Sequence, residues 1–542
     1  MKYFNKKLFI LSFILAFLLI TPYLFSGFYL GDDAFFHLSR IEGLKNTIID
    51  KQFLAKIYPF KNFGFGYASP IFYCDIFLYL PAILLLFNLP LIPVYLFFLF
   101  LFLVITSYSM GITAFLISKN EKTMLFAALF YSLSPYHLFD IYQRASLGEI
   151  MAMSFFPLLI ISLYYLIKLK SDKYYYLAFS MTLIVCSHNI SLIMAILYLI
   201  VYLGLNYRNL SRKVFINIFK AGILAISLAS FFIFPMLEFL SVQDYFLNHI
   251  QNTSNLASYA LEFAALFNFK EVLSINNLNL GILMSLALCY QLIRAKYRKY
   301  AILVLLLLIS TTNLIPYRYL GFMTIIQFPF RFFIIISPIA SLLAADFFSK
   351  FYYKIGIIIA SLLLVNSSFV ISGILENLNK TNANFVYSDI LDNTYGQAIS
   401  SDYGYTSLEL INAEYLPYST ILNYDKFKTV MRYDNFDVVD GQLEKNFTSL
   451  KIKLNQVYPN LNIMLPISYY PGYHLYKTDS NYHKIEEIPS FKGSYYPLVT
   501  FKAVQSDEGY YLLDYEATLI QKASLLLSFL AILYSIYKLK KH

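Results

Sequence analysis

Gly31-Asp32-Asp33-Ala34-Phe35-Phe36-His37-Leu38-Ser39-Arg40 follows directly on the first long apolar run of the chain. It sets two carboxylates, an imidazole and a guanidinium where a membrane span should be leaving the bilayer. His37 follows Asp33 by four residues and Arg40 follows His37 by three. In a helix that spacing puts all three on one face. Ionised groups are costly in lipid, and near a membrane they usually have a partner or a function. The remaining apolar segments read as a helical body arranged around this stretch.

Composition supports the membrane reading. Of 542 residues, 58% are hydrophobic and 14% charged, against about 25% charged in ordinary soluble proteins. Apolar runs of roughly 20 residues recur along most of the chain. Leu8 to Ile20 follows Lys2, Lys6 and Lys7, yet no small-residue cleavage site comes after it and many more runs follow, so it reads as a span and not as a signal peptide. The net charge of +10 sits largely in short connections between apolar runs. The positive-inside rule accounts for that without a nucleic-acid partner. Cys74, Cys186 and Cys289 show neither a disulfide framework nor metal spacing. Trp is absent while Tyr (50) and Phe (52) are abundant, so tyrosine is the natural interfacial aromatic.

The basic connections set an expected topology. Lys2, Lys6 and Lys7 place the N-terminus in the cytoplasm, and the first span delivers Asp32 outside. Residues 27–75 form a first outer loop, in which Leu38, Ile41 and Leu44 suggest a short helix lying in the interface. Ile76 to Phe87 is short and holds Pro81, so it is re-entrant or peripheral if Lys119 and Lys122 are cytoplasmic. Tyr175 to Val201 carries the polar Ser187-His188-Asn189 at its middle, as two short crossings with that motif at the tip would. Counting crossings between basic connections gives a polytopic α-helical protein of about 12 transmembrane helices. The expected organisation is a membrane catalytic domain over 1–376, a small extracytoplasmic β-rich domain over 377–517, and a final helix with a basic cytoplasmic tail over 518–542. Phe447 to Leu454 and Tyr495 to Phe501 read as strands of the late domain.

Several residues can carry chemistry. Asp32 and Asp33 can take a proton from an attacking hydroxyl and favour oxocarbenium-like charge on a sugar, or they can simply end a helix in water. His37, Arg40, Arg144, His188 and Arg331 can each meet a phosphate. Arg144 equally suits a structural ion pair, His188 a packed histidine, and Arg331 the edge of a span. Glu149 can orient Arg144 or bind an acceptor, and Glu238 reads first as a helix-end anion. There is no Walker A sequence and no Gly-x-Gly-x-x-Gly, so ATP-driven transport by this chain is disfavoured. A nucleotide-sugar donor fits poorly with an outward site. A lipid-linked phosphosugar fits better, because its polyprenyl tail stays in the bilayer while its phosphate meets Arg or His.

With these residues assembled, the chain resembles the bacterial membrane proteins of the GT-C glycosyltransferase superfamily, and more narrowly the branch known as YfhO-like or "6-pyruvoyl-tetrahydropterin synthase-related". The matching features are Asp32-Asp33 with His37 and Arg40, Arg144 to Glu149, Ser187-His188-Asn189, Gln327-Phe328-Pro329-Phe330-Arg331, and Tyr469-Tyr470-Pro471-Gly472-Tyr473. The pterin label carries no weight, since no soluble pterin-enzyme core with a zinc-binding histidine set is evident. The resemblance implies an acidic residue of the first outer loop, Asp32 or Asp33, as catalytic group, and a polyprenyl-phosphate sugar donor with a cell-envelope glycan, lipid or protein as acceptor. It leaves a divalent metal open, as some branches need one and others do not. The expectation is therefore sugar transfer to an envelope acceptor outside the cell. The alternatives are a transporter or flippase of an envelope lipid or polymer, and an assembly or sensing protein.

Overall fold

A computed structural model describes residues 5–28, 31–59, 61, 64–245, 253–269, 274–294, 296–351, 353–382, 431–432, 439–445, 449–456, 461–493, 498–503 and 509–541. It shows a multi-pass α-helical membrane protein with a small C-terminal β-sheet domain. Among the described residues five helices are long and apolar enough to cross a membrane: Lys6–Phe25, Leu91–Ser118, Leu147–Lys168, Pro329–Phe348 and Leu519–Lys540. A bent pair, Arg212–Leu228 with Ser230–Val242, brings the count to six if taken as one span.

That count overturns the expectation of about twelve crossings, and with it the GT-C architecture and the resemblance to that superfamily as a ground for glycosyltransferase activity. The reason is length. Several runs read as crossings fold as short apolar helices, namely Tyr175–Val185, Asn189–Leu205 and Ile282–Ile293. Each falls short of the roughly 20 residues that a crossing needs. The run from Leu125 to Leu138 is likewise broken, because its helix stops at Ser132 and a new one begins at Pro135.

The chain divides into two compact units. The first comprises Met1–Ser39, Ile76–Ile226 and Gln251–Phe385. Its helices pack through small and hydroxylic residues, as expected where lipid removes the hydrophobic drive for association. The Thr106 and Ser154 hydroxyls lie 2.6 Å apart, and the Ser109 hydroxyl donates to the Ser154 carbonyl at 2.8 Å. Thr113 donates to the Pro157 carbonyl at 2.9 Å, inside a helix that proline interrupts. Gly111 lets Leu8 approach so closely that a Cβ there would collide with its Cδ1.

The second unit comprises Arg40–Asp75, Ser227–Ile250 and Val386–His542. Its antiparallel strands are β1 (Met431–Arg432), β2 (Gly441–Lys445), β3 (Ser449–Leu454), β4 (Asn462–Ser468), β5 (Tyr473–Thr478), β6 (Lys484–Ile488), β7 (Ser490–Lys492), β8 (Leu498–Lys502) and β9 (Tyr510–Tyr515). They form two sheets of order β1-β4-β8-β7 and β2-β3-β9-β5-β6. The alternation read in Ser449–Leu454 is real, since Leu450, Ile452 and Leu454 are buried while the residues between them are not. These three join Ile463, Leu475, Val499, Phe501 and Leu513 in the core. Tyr469 to Tyr473 makes a turn of which Tyr470 is the buried residue. Tyr470 packs against Phe239 at 5.8 Å, and Gly472, at φ +105°, would bring a Cβ within 2.6 Å of the Glu516 carbonyl.

Lys445 ties this unit together. Its amine donates to the carbonyls of Pro59, at 2.6 Å, and of Gly64. Burial depresses its pKa to about 7. The unfolded chain then holds a proton that the folded chain has released between about pH 7 and lysine's ordinary value, so stability rises with pH across that window. Lys445→Met leaves two carbonyls unpaired and is expected to cost about 1–3 kcal/mol. Melting curves at pH 7 and pH 9 check both points: the variant melts lower and loses the Lys445 part of the pH rise.

Candidate functional site

Within the first unit the chain builds one ion network from four separated segments. Its centre is the passage from Leu133 to Glu149. Ser134 is extended, and Pro135 then opens the short helix Pro135–Phe139 at a position where its missing N–H costs nothing. A single wide turn, Asp140–Arg144, follows and is ended by Ala145 in the left-handed region at φ +49°. That ending frees two carbonyls. Gln143 O accepts from the Asp32 amide at 3.0 Å, and Arg144 O accepts from the Asp33 amide at 2.7 Å. Gly31 makes this approach feasible, because a Cβ there would lie 2.7 Å from Gln143 O and 2.8 Å from Ala145 Cβ. Gly31→Ala is therefore expected to push the 31–33 segment away. In a functional assay it should lower activity by more than it lowers the melting point.

The side chains then close on each other. Arg144 Nη1 donates to Glu149 Oε1 at 2.6 Å and to Asp140 Oδ1 at 3.2 Å, while Nη2 reaches Asp33 Oδ2 at 3.2 Å. Arg331 Nε donates to the same Glu149 oxygen at 2.9 Å, and its Nη1 donates to Ile326 O at 3.0 Å and Gln327 Oε1 at 2.5 Å. The Tyr136 hydroxyl donates to Glu149 Oε2 at 2.6 Å. Glu149 lies in the first turn of Leu147–Leu163, where the helix dipole favours a carboxylate. The Phe328 ring lies 4.9 Å from the Arg331 guanidinium and 5.9 Å from that of Arg144, close enough for cation–π attraction. His188 caps Asn189–Leu205 through Nδ1, which also meets the Ser191 hydroxyl at 2.9 Å. It is an electrostatic neighbour of Glu149.

Exposure orders the network. Asp140 and Glu149 are fully buried, Arg144 and Arg331 nearly so, Asp33 is half-exposed and Asp32 is exposed. Asp32 thus stands at the open end, backed by a buried ion cluster. Partial desolvation, and then the Asp33 carboxylate beside it, raise its pKa above the ordinary value. Arg144 and a hydrogen bond from Gln143 oppose that rise. Four carboxyl groups, of Asp32, Asp33, Asp140 and Glu149, lie around the two guanidiniums of Arg144 and Arg331. The network therefore has carboxylate to spare even before any anion enters.

Asp32, Asp33, Arg144, Glu149, His188 and Arg331 are accordingly brought into one neighbourhood. His37 is buried one turn along Ala34–Ile49 with its ring 5.3 Å from Phe36. Arg40 belongs to the second unit. There its guanidinium pairs with buried Asp75, donates to the carbonyls of Tyr73 and Cys74, and lies 4.1 Å over the Tyr73 ring. Glu238 is in the second unit too, and its Oε2 accepts from the Thr518 hydroxyl at 2.9 Å. Sequence reasoning gave no role to Asp140, Tyr136, Gln143 or Phe328. Asp140 carried a usable signal, standing four residues before Arg144; the others are recruited only by the fold. Among the described residues no group of three or more His, Cys, Asp or Glu is placed to hold a metal ion.

Fold and site together define a multi-pass membrane protein whose helical unit holds a buried ion network opening at two aspartates. Residues 72–379, more than half of the chain, match the family model described as "6-pyruvoyl-tetrahydropterin synthase related domain; membrane protein". The chain belongs to that family. No curated protein matches it.

Proposed function

We propose that the cluster transfers a sugar from a polyprenyl-phosphate-linked donor to a hydroxyl acceptor of the cell envelope, with Asp32 as the proton acceptor. The reading rests on the site and not on the superfamily architecture that the span count overturns. The observation that carries it is an exposed carboxylate of raised pKa whose backbone is bonded to Gln143 beside a buried ion cluster. In the reaction the acceptor oxygen bonds to the anomeric carbon, the bond from that carbon to the phosphate oxygen breaks, and polyprenyl phosphate leaves. The acceptor's proton passes to Asp32, whose raised pKa makes its carboxylate a stronger base than that of an ordinary aspartate. Asp33 is the half-exposed partner of Arg144, at the longer distance of 3.2 Å. It is the carboxylate that yields when the phosphate takes the Arg144 guanidinium.

An apolar pocket borders the segment that carries Tyr136. It measures about 330 Å³ and is lined mainly by apolar residues, among them Leu133, Pro135, Gly281, Met284 and Leu363. Pro135 adjoins Tyr136, which bonds Glu149. For orientation, basic residues flank the first and last spans at Lys2, Lys6 and Lys7 and at Lys538, Lys540 and Lys541. Under the positive-inside rule both termini are cytoplasmic and the β-sheet domain extracytoplasmic.

The second reading, a transporter or flippase, draws on the break at 186–188 between the short apolar helices Tyr175–Val185 and Asn189–Leu205, a feature of transporter binding sites. Purified protein in liposomes with a labelled lipid-linked sugar separates the two. Release of polyprenyl phosphate and a new glycoconjugate supports transfer, whereas movement of intact donor between leaflets supports transport. The pH profile adds a signed expectation. Activity falls as pH drops through the Asp32 pKa, and Asp33→Asn moves that acid limb to lower pH, because a neighbouring negative charge is gone.

A further inference from the structure

The segment between the helix Arg298–Ser310 and the span Pro329–Phe348 has an unusual surface for a connection. Among residues 311–328 the only charged side chain is Arg318. The segment folds as two 3-10 turns, Tyr317–Tyr319 and Gly321–Ile326. Tyr319 and Phe322 are 82% and 77% exposed, and Leu314 and Ile325 are more than half exposed. A loop facing bulk water would not normally present four large apolar side chains in twelve residues.

A second segment joins it. The Leu261 amide donates to Thr311 O at 2.9 Å, and the Asn313 amide donates to Leu261 O at 2.8 Å. The adjacent turn Phe263–Phe267 adds exposed Phe263 and Phe267. The Tyr259 ring meets Phe328 edge-on at 4.8 Å. The polar groups of the 311–328 segment are largely satisfied from within. Amides of Ile315, Tyr317, Tyr319, Leu320, Met323, Gln327 and Phe328 all donate to carbonyls two or three residues back. The hydroxyls of Thr312 and Thr324 donate to Ile309 O and Gly321 O. Self-satisfaction of this kind is what a low-water environment demands of non-helical backbone.

We propose that residues 311–328, with Leu261 to Phe267, form a ledge that lies in the headgroup–acyl boundary of one leaflet. The occupant of the exposed apolar face is the phospholipid leaflet itself. Chain continuity fixes this choice. The span Pro329–Phe348 begins directly after Phe328, so the preceding residues stand at the level where that span meets the bilayer surface. Tyr and Phe are suited to that depth, and Arg318 can extend from it to phosphate. The ledge ends at Phe328, whose ring lies under Arg331 and Arg144. The ion network is thereby set at lipid-headgroup level. The proposal depends on the span reading and is independent of which reaction the site performs.

The absence of tryptophan from the chain makes the test clean. Phe322→Trp and Tyr319→Trp each introduce a single indole into the full-length protein. Leu530→Trp, midway along Leu519–Lys540, is the deep control, and Glu486→Trp on β6 is the aqueous control. Each variant is reconstituted in phosphatidylcholine vesicles whose acyl chains carry bromine near the headgroup or near the chain end. The expected result is blue-shifted emission from both ledge variants, losing most of its intensity to shallow bromines and less to deep ones. Leu530→Trp reverses that order, and Glu486→Trp responds only to aqueous iodide. Quenching of both ledge indoles by iodide and not by bromolipid overturns the proposal. So does quenching by neither, which would mean a protein surface covers the ledge. The two ledge variants are independent, so a folding failure in one leaves the other to decide.

Discussion

Replacing Glu149 by glutamine is expected to be the most damaging conservative change in the helical unit. Glu149 is fully buried, and one of its oxygens takes both Arg144 and Arg331 while the other takes the Tyr136 hydroxyl. Glutamine keeps the shape. Its carbonyl oxygen can still face the two guanidiniums, and its amide can donate to the tyrosine hydroxyl. The negative charge alone is lost, and two buried cations then share one neutral acceptor. Removing one partner of a buried ion pair costs roughly 3–5 kcal/mol, a large share of the stability of most proteins. The expected outcome is a marked fall in folded yield and in melting temperature in detergent. Asp140→Asn should be milder, because Asp140 meets Arg144 at 3.2 Å through one oxygen while its other oxygen, Oδ2, has no hydrogen-bond partner. Equal melting of wild type and Glu149→Gln would show that the network does not hold the unit together.

The second large effect is functional. Asp32 is exposed and its carboxylate has no ion pair among the described residues, so Asp32→Asn should fold and melt as wild type does. If Asp32 accepts the acceptor's proton, its loss is expected to lower turnover by about 10²–10⁴-fold. Asp33→Asn behaves differently. It breaks the contact with Arg144 and shifts the acid limb, while leaving the proton acceptor in place. The two adjacent aspartates thus separate experimentally, although their side chains are chemically identical. The fold separates them already: the Asp33 carboxylate points to a guanidinium, and Asp32 is left at the opening.

Much of the site was legible in the sequence because it needed only residue chemistry. A carboxylate pair after an apolar run, Arg144 with Glu149, His188 between two apolar stretches and Arg331 after a proline each stood out locally, and the helical unit gathers them. Arg40 escaped the reading for a physical reason. The helical spacing from Asp33 through His37 to Arg40 is genuine, but Asp75 and the carbonyls of Tyr73 and Cys74 compete for its guanidinium, and a partner 35 residues away leaves no local trace. Leu38, Ile41 and Leu44 do lie on a helix, Ala34–Ile49, yet all three are buried in the protein instead of facing lipid. The strands at Ser449–Leu454 and Leu498–Lys502 followed from alternation and from short apolar runs.

The span count failed where hydropathy was read without length. Charged connections fix the order of sides only if every apolar run between them crosses. Tyr175–Val185 and Ile282–Ile293 are mostly apolar but only 11 and 12 residues long. Helices of that size, about 17–18 Å at the α-helical rise, fall well short of a hydrocarbon core of about 30 Å. The breaks were visible as Ser187-His188-Asn189 and Leu133-Ser134-Pro135. What the sequence did not reveal is that such breaks end helices inside a packed unit, where neighbouring side chains satisfy the freed backbone.

The most direct test of the account is the initial rate of polyprenyl-phosphate release from a lipid-linked sugar by purified wild type, Asp32→Asn and Asp32→Glu in matched vesicles. Asp32→Asn is expected to lose turnover by at least about a hundredfold with an unchanged melting curve, and Asp32→Glu, which restores a carboxylate, to recover part of it. Equal rates for wild type and Asp32→Asn would contradict the assignment of Asp32 as the reacting carboxylate.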